Sequence, residues 1–190
     1  SVSRFANLCK MRAMPSLRSF FRVLGLTLVL SLPGLANAGG ISIYNATGFH
    51  FGEPLSEEGG QGRWMNEGGG LGVVLGPADS RLLGRLRFAY NAVIDLAGGT
   101  RHVAVLSAGV QIELLPDLTK RFGLYLVTDM GITPLFTDMR LYLFADVGPG
   151  VRFDLNDRLS LFAEVCALVR YENSFYAGPQ FYLGARIAFD

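Results

Sequence analysis

The chain has 190 residues, half of them hydrophobic, with only 17% charged and a formal net charge of +1. That is room for one domain, and too greasy a balance for an ordinary soluble protein of this length. The near-neutral total hides an asymmetry: the first 38 residues carry Arg4, Lys10, Arg12, Arg18 and Arg22 and no acid, leaving 12 basic and 16 acidic residues downstream, a balance that argues against nucleic acid as a partner.

In chain order, residues 1–13 read as an upstream segment without structure of its own, and residues 14–38 as a secretory signal. Arg18 and Arg22 are followed by the apolar run Val23 to Leu32, the break Pro33-Gly34 and the triplet Ala36-Asn37-Ala38. The run is shorter than the ~20 apolar residues that span a bilayer, and the small side chains suit a signal peptidase. Cleavage is expected between Ala38 and Gly39. Cys9 would leave with the signal, so Cys166 stands alone in the exported chain and reads as a small buried hydrophobe.

Residues 39–190 form the second part, and there alternation with period two replaces any helical spacing, so strands are expected throughout. Two less regular strands, around Ile41 to Phe51 and Arg63 to Leu75, come first. Arg81 to Leu96 then sets Leu86, Phe88, Tyr90, Ala92 and Ile94 against Arg85, Arg87, Asn91 and Asp95. His102 to Leu114 opposes Leu106 and Ile112 to Ser107, Gln111 and Glu113. In Phe122 to Phe136, Leu124, Leu126 and Met130 face away from Tyr125 and Asp129, and in Met139 to Leu155, Leu143, Val147 and Val151 face away from Arg140, Asp146, Arg152 and Asp154. The last two strands, Leu159 to Tyr171 and Phe175 to Phe189, repeat the pattern with Glu164, Arg170, Tyr182 and Arg186 on the polar side. Short polar turns are expected at Gly76 to Asp79, Leu115 to Lys120 and Asn156 to Arg158, and bulges at Pro149 and Pro179.

Eight strands of roughly twice the length usual in soluble sheets, each apolar on one side, suit a bilayer. Every backbone N–H and C=O there needs a partner, which a sheet supplies only by closing on itself. The fold class expected is therefore all-β: a closed antiparallel eight-stranded transmembrane barrel. Phe49, Phe51, Trp64, Phe136, Tyr171 and Phe175 at one end, and Phe122, Phe153 and Phe189 at the other, read as aromatic girdles.

The closing residues resemble the C-terminal assembly signal of outer-membrane barrels, with Tyr182, Gly184, Ile187 and Phe189 alternating up to a near-terminal aromatic. Across residues 39–190 the chain is similar to the small eight-stranded barrels of the outer-membrane protein A transmembrane-domain type. The resemblance implies the outer membrane of a Gram-negative bacterium, with lipid, lipopolysaccharide and the barrel-assembly machinery as partners.

An eight-stranded barrel is just wide enough for its interior side chains to fill it. The expected inward set balances Arg85, Arg87, Arg140, Arg152, Arg170 and Arg186 against Asp95, Glu113, Asp129, Asp146, Asp154 and Glu164, a structural lumen network of arginine–carboxylate pairs. The glycines facing inward from Arg63 to Leu75 would make room for Arg85, Arg87 or Tyr44. No cofactor is expected. Catalytic and metal sites are not expected either: there are two histidines, His102 and Ser107 fall on opposite faces of a strand, and His50 reads as an interfacial polar residue. The function expected is a structural or partner-binding barrel, with the acidic, glycine-rich loop from Glu53 to Gly62 as the place for a protein partner. A lipid-modifying enzyme of deacylase or acyltransferase type and a narrow pore are the alternatives.

Overall fold

A computed structural model describes residues 38–52, 62–77, 80–95, 99–119, 121–135, 140–171 and 175–189. The chain divides into two units, Ser1–Pro33 and Gly34–Asp190, and every described residue lies in the second. The segments expected as upstream residues and signal, Ala38 excepted, fall outside the described residues, as does most of the loop from Glu53 to Gly62.

Eight strands follow one another: β1 (Ala38–Gly52), β2 (Gly62–Gly76), β3 (Leu82–Asp95), β4 (Thr100–Thr119), β5 (Phe122–Leu135), β6 (Arg140–Asp154), β7 (Leu159–Tyr171) and β8 (Phe175–Ala188). Each pairs antiparallel with its sequence neighbour, and β1 pairs with β8 from Gly40↔Ala188 to Gly52↔Tyr176, closing the barrel. An even strand number puts Ala38 and Ala188 at the same end, together with the β2–β3, β4–β5 and β6–β7 turns. We call this end proximal and the other distal.

The period-two pattern sets the faces, because a one-residue slip would exchange every inward and outward side chain. Inward lie Tyr125, Gln111 and Asp129, all at 0% exposure, while the outward Ile43, Leu183 and Phe175 are 65%, 66% and 69% exposed. This inverts a soluble protein. A sheet with charge buried inside and a largely apolar exterior is stable only where its outer face meets hydrocarbon.

The observed turns use local chemistry. Asn156 Oδ1 accepts the backbone N–H groups of Arg158 (2.9 Å) and Leu159 (2.8 Å), closing the β6–β7 turn. Gly99, with φ of 117°, supplies a backbone conformation that a side chain would resist between β3 and β4.

Two expectations need correction. The stretch Leu115 to Lys120 is not simply a turn, since β4 continues to Thr119. Pro116 cannot donate to a ladder, and the strand absorbs the irregularity in register shifts between Glu113 and Leu115 and between Leu115 and Thr119. Conversely, Pro149 and Pro179 cause no bulge. Pro149 pairs with Leu126 in step with its neighbours, and β6 and β7 keep one register from Val147↔Ala167 to Gly150↔Glu164. Pro179 likewise pairs in step with Ala167. A proline lacks only one N–H, directed to one neighbouring strand, so pairing on its other side continues.

Candidate functional site: the charged lumen

Arg85 and Arg87 lie two apart on β3, so both point inward, and both are 5% exposed. Asp129 of β5 and Asp146 of β6 are direct partners across their ladder, which places two carboxylates side by side in a sealed interior. Like charges at that spacing need cations between them. Arg87 reaches across the lumen and supplies one: its Nη2 contacts Asp129 Oδ2 and lies 2.9 Å from Asp146 Oδ2. Its Nη1 is 3.5 Å from Glu164 Oε2. Arg85 forms the fork-to-fork pair for which guanidinium is shaped, with Nη1 and Nη2 at 2.9 and 3.0 Å from the two Glu164 oxygens.

Tyrosines complete this middle layer. Tyr125 Oη donates to Glu164 Oε1 at 3.0 Å and Tyr182 Oη to Asp146 Oδ2 at 2.6 Å. The Arg87 guanidinium also lies over the Tyr182 ring, 4.1 Å from its centroid, and Tyr182 meets Tyr44 edge to face at 5.8 Å. The space for Tyr44 comes from β2, where a β-carbon at Gly70 would lie 2.7 Å from the Tyr44 hydroxyl. At Gly72 a β-carbon would lie 2.6 Å from Ser42 Oγ and at an ordinary contact distance from Arg87. The bare wall of β2 thus accommodates Tyr44 and Ser42, whereas Arg87 would tolerate a β-carbon at Gly72.

Nearer the proximal end a second group forms. Arg152 lies 3.2 Å from Glu113 and 3.0 Å from Asp154, and its Nη2 donates to the Pro116 carbonyl at 3.3 Å. Gln111 links this group to the last inward arginine, donating to Glu113 while accepting from Arg186 Nη2 at 3.0 Å. Beyond it the barrel widens into a mouth of about 770 Å³ bordered by Arg121 and Arg158.

Distally the lining changes. Val93, Val103, Phe144 and Leu168 share the interior with His50, Asn66, Asn91 and Gln180 around a cavity of about 40 Å³. Asn66 Nδ2 donates to Gln180 Oε1 at 3.2 Å, and the Arg170 guanidinium lies 4.6 Å above the Tyr142 ring. His50 is a correction: it is 6% exposed and faces this cavity, not the interface. The parity of β1, inward at Ser42, Tyr44 and Ala46, was the signal that would have placed it.

The inward residues singled out in the sequence thus fall into separate places. Arg85, Arg87, Asp129, Asp146 and Glu164 share one cluster, and Glu113, Arg152 and Asp154 another with Arg186 beside it. Arg170 stands distally. Asp95 and Arg140 belong to β3 and β6, but their side chains lie outside what is described. Tyr125, Tyr182 and Gln111 hold the clusters together, a role that their inward parity alone did not reveal.

The remaining sites are simply placed. Ala38 and Gly39 open β1, paired with Gly76 and Leu75. In β8, Tyr182 and Gly184 face inward, whereas Ile187 is exposed, as is Phe189 just beyond the strand. Phe189 N donates to Gly39 O at 2.9 Å. Cys166 is buried at 1% exposure. His102 stacks on Tyr90 on the outer face (5.7 Å between centroids), while Ser107 is buried inside, so the two do not meet. Among the described residues no group of three or more His, Cys, Asp or Glu side chains is placed to hold a metal ion.

A closed eight-stranded sheet, apolar outside and charged within, defines the class: a transmembrane barrel of the outer-membrane type. No protein-family model matches the chain, and no curated protein matches its sequence. Among solved structures it is similar to Neisserial surface protein A, at 12% identity over 81% of this chain and 100% of that one, with a TM-score of 0.53. It is also similar to the attachment invasion locus protein Ail of Yersinia pestis (15% identity, 82% and 100% covered, TM-score 0.44). A third likeness is to the outer membrane protein OprG of Pseudomonas aeruginosa (13%, 81% and 98%, 0.42). At 12% identity the likeness to Neisserial surface protein A is one of fold, and the fold is the eight-stranded outer-membrane barrel.

Proposed function

We propose that this protein is an integral barrel of the bacterial outer membrane with a structural or partner-binding role, not an enzyme, its lumen sealed by the arginine–carboxylate clusters. In this reading residues 14–38 direct export and are removed between Ala38 and Gly39, and the proximal end lies in the periplasm. The near-terminal pattern of Tyr182, Gly184, Ile187 and Phe189 is read by the barrel-assembly machinery. Outer-membrane lipid and lipopolysaccharide surround the apolar face, and the segment from Glu53 to Gly62 is the place for a protein partner.

The observation that carries the proposal is the middle cluster. Arg85 and Arg87 from one wall are tied to Asp129, Asp146 and Glu164 on the facing strands, with Tyr125 and Tyr182 filling what remains. A passage crossed by paired, fully buried charges is a plug. The test is reconstitution of the purified protein in planar bilayers and lipid vesicles. Current traces without discrete steps, and lipopolysaccharide and phospholipid of unchanged mass, are expected. Regular conductance steps would make it a pore, and a lipid mass change abolished by substituting His50 or His102 would make it an enzyme.

A further inference from the structure

The apolar exterior has an interruption on β1 and β2. Asn45 and Glu67 are exposed on the outer face, with Thr47 half-buried between them, and Gly69 beside them carries no side chain. Thr47 is the direct ladder partner of Glu67, and Asn45 that of Gly69. The patch is no part of a loop rim. Along β1 it is bounded by Ile43 and Phe49, 65% and 41% exposed, and to the sides by Leu183 and Tyr90, 66% and 54% exposed. It is a polar island in a largely apolar belt, where His102 and Thr128 are exposed singly on other strands, and hydrogen-bonding groups are costly there without a partner.

The inventory of donors and acceptors indicates what covers it. Thr47 Oγ1 donates to Asn45 Oδ1 at 3.1 Å, which engages the Asn45 carbonyl and leaves its amide N–H groups without an acceptor among the described residues. The Glu67 carboxylate is an acceptor with no donor among the described residues. The island therefore carries both halves of a hydrogen bond, a complementarity that a two-fold axis satisfies twice. An anionic lipid headgroup would meet Glu67 as a like charge, whereas the amide of an identical chain meets it as a donor. The missing side chain at Gly69 lets a second backbone come close, as small residues do between packed membrane segments.

We propose that this island is a lateral docking surface for a second copy of the same chain, related by a two-fold axis along the membrane normal, with Asn45 of each copy donating to Glu67 of the other. The inference rests on the reading that the outer face meets lipid. The experiment is thiol crosslinking in outer membranes of cells producing the full chain. Leu71→Cys puts a thiol at the edge of the island, and Ala145→Cys puts one on the outer face of β6, on the opposite wall. The parent chain, with Cys9 and Cys166, is the background. A crosslinked dimer is expected from Leu71→Cys and not from Ala145→Cys or the parent, and it should be lost when Asn45→Leu and Glu67→Leu are added. Heat-dependent gel mobility shows that each variant still folds as a barrel.

No dimer from Leu71→Cys, or equal crosslinking from both walls, would overturn the proposal. So would leucine variants that leave crosslinking intact and only reduce the lipopolysaccharide that copurifies. A parent chain lacking heat-dependent mobility would remove the membrane reading itself, and the dimer with it.

Discussion

The middle and the distal parts of the lumen are built by the same strands and the same alternation, yet they are filled differently. In the middle, Tyr44, Tyr125, Val127, Phe162, Cys166 and Tyr182 pack into one buried group around the arginine–carboxylate cluster. Distally, Val93, Val103 and Tyr142 form a smaller group beside the 40 Å³ cavity. Charge is concentrated where side chains from facing walls can reach one another. Distally, apolar and amide side chains share the lining with His50 and Arg170, and space remains that reaches down to Tyr44, Arg87 and Tyr182 of the middle layer. The comparison teaches that one barrel interior does not have to be uniformly packed: a tightly paired layer and a hollow can be built by the same strands.

The largest effect should come from breaking that layer. Arg87→Ala would take away the guanidinium shared by the adjacent Asp129 and Asp146 and leave only Arg85, 3.8 Å from Asp129, with an expected loss of about 3–5 kcal/mol. It is read as a shift in the urea midpoint of unfolding from lipid vesicles, and a loss below about 1 kcal/mol would mean that the cluster does not hold the barrel together. Next comes the outer face. Val165→Arg, halfway along β7 and 49% exposed in the parent chain, should cost about 2–4 kcal/mol in the same measurement. No cost would mean that this belt does not sit in hydrocarbon.

A matched pair of substitutions sharpens the contrast between the two lumen regions. Val127 in the middle is 1% exposed and Val93 in the distal part 4%, so burial alone predicts equal responses to an added methyl group. Packing predicts otherwise. Val127→Ile is expected to cost about 1–3 kcal/mol because the layer is full. Val93→Ile, beside the cavity, should be neutral or stabilising by roughly 0.5 kcal/mol. Equal costs in thermal melts would show that the distal lumen is as tightly filled as the middle.

The pairing within the cluster was not legible along the chain. Arg85 and Glu164 are 79 positions apart, and they meet only because closure of the sheet brings β3 opposite β7. Inward parity named both residues without saying which arginine each carboxylate takes. Parity also places residues that irregular composition hides. β1 looks irregular because Asn45 and Thr47 put polar groups on the outer face, and that irregularity masks the inward position of His50. Proline misled in both directions: Pro149 and Pro179 sit in unbroken registers, while Pro116, which looked like part of a turn, lies in the irregular end of a strand. The cost of a missing N–H depends on which neighbour it would have pointed to, a property of the sheet and not of the residue.

The eight strands, and the two faces of those from β3 to β8, were set by the sequence alone, because alternation with period two is a local property and each of these strands states its own inside and outside. Which charges neutralise one another, where the lumen is full and where it is hollow, and the gathering of Asn45, Thr47 and Glu67 into one patch were decided only by the closed barrel. Those features depend on register between strands and on distances across the lumen, and no single strand carries that information.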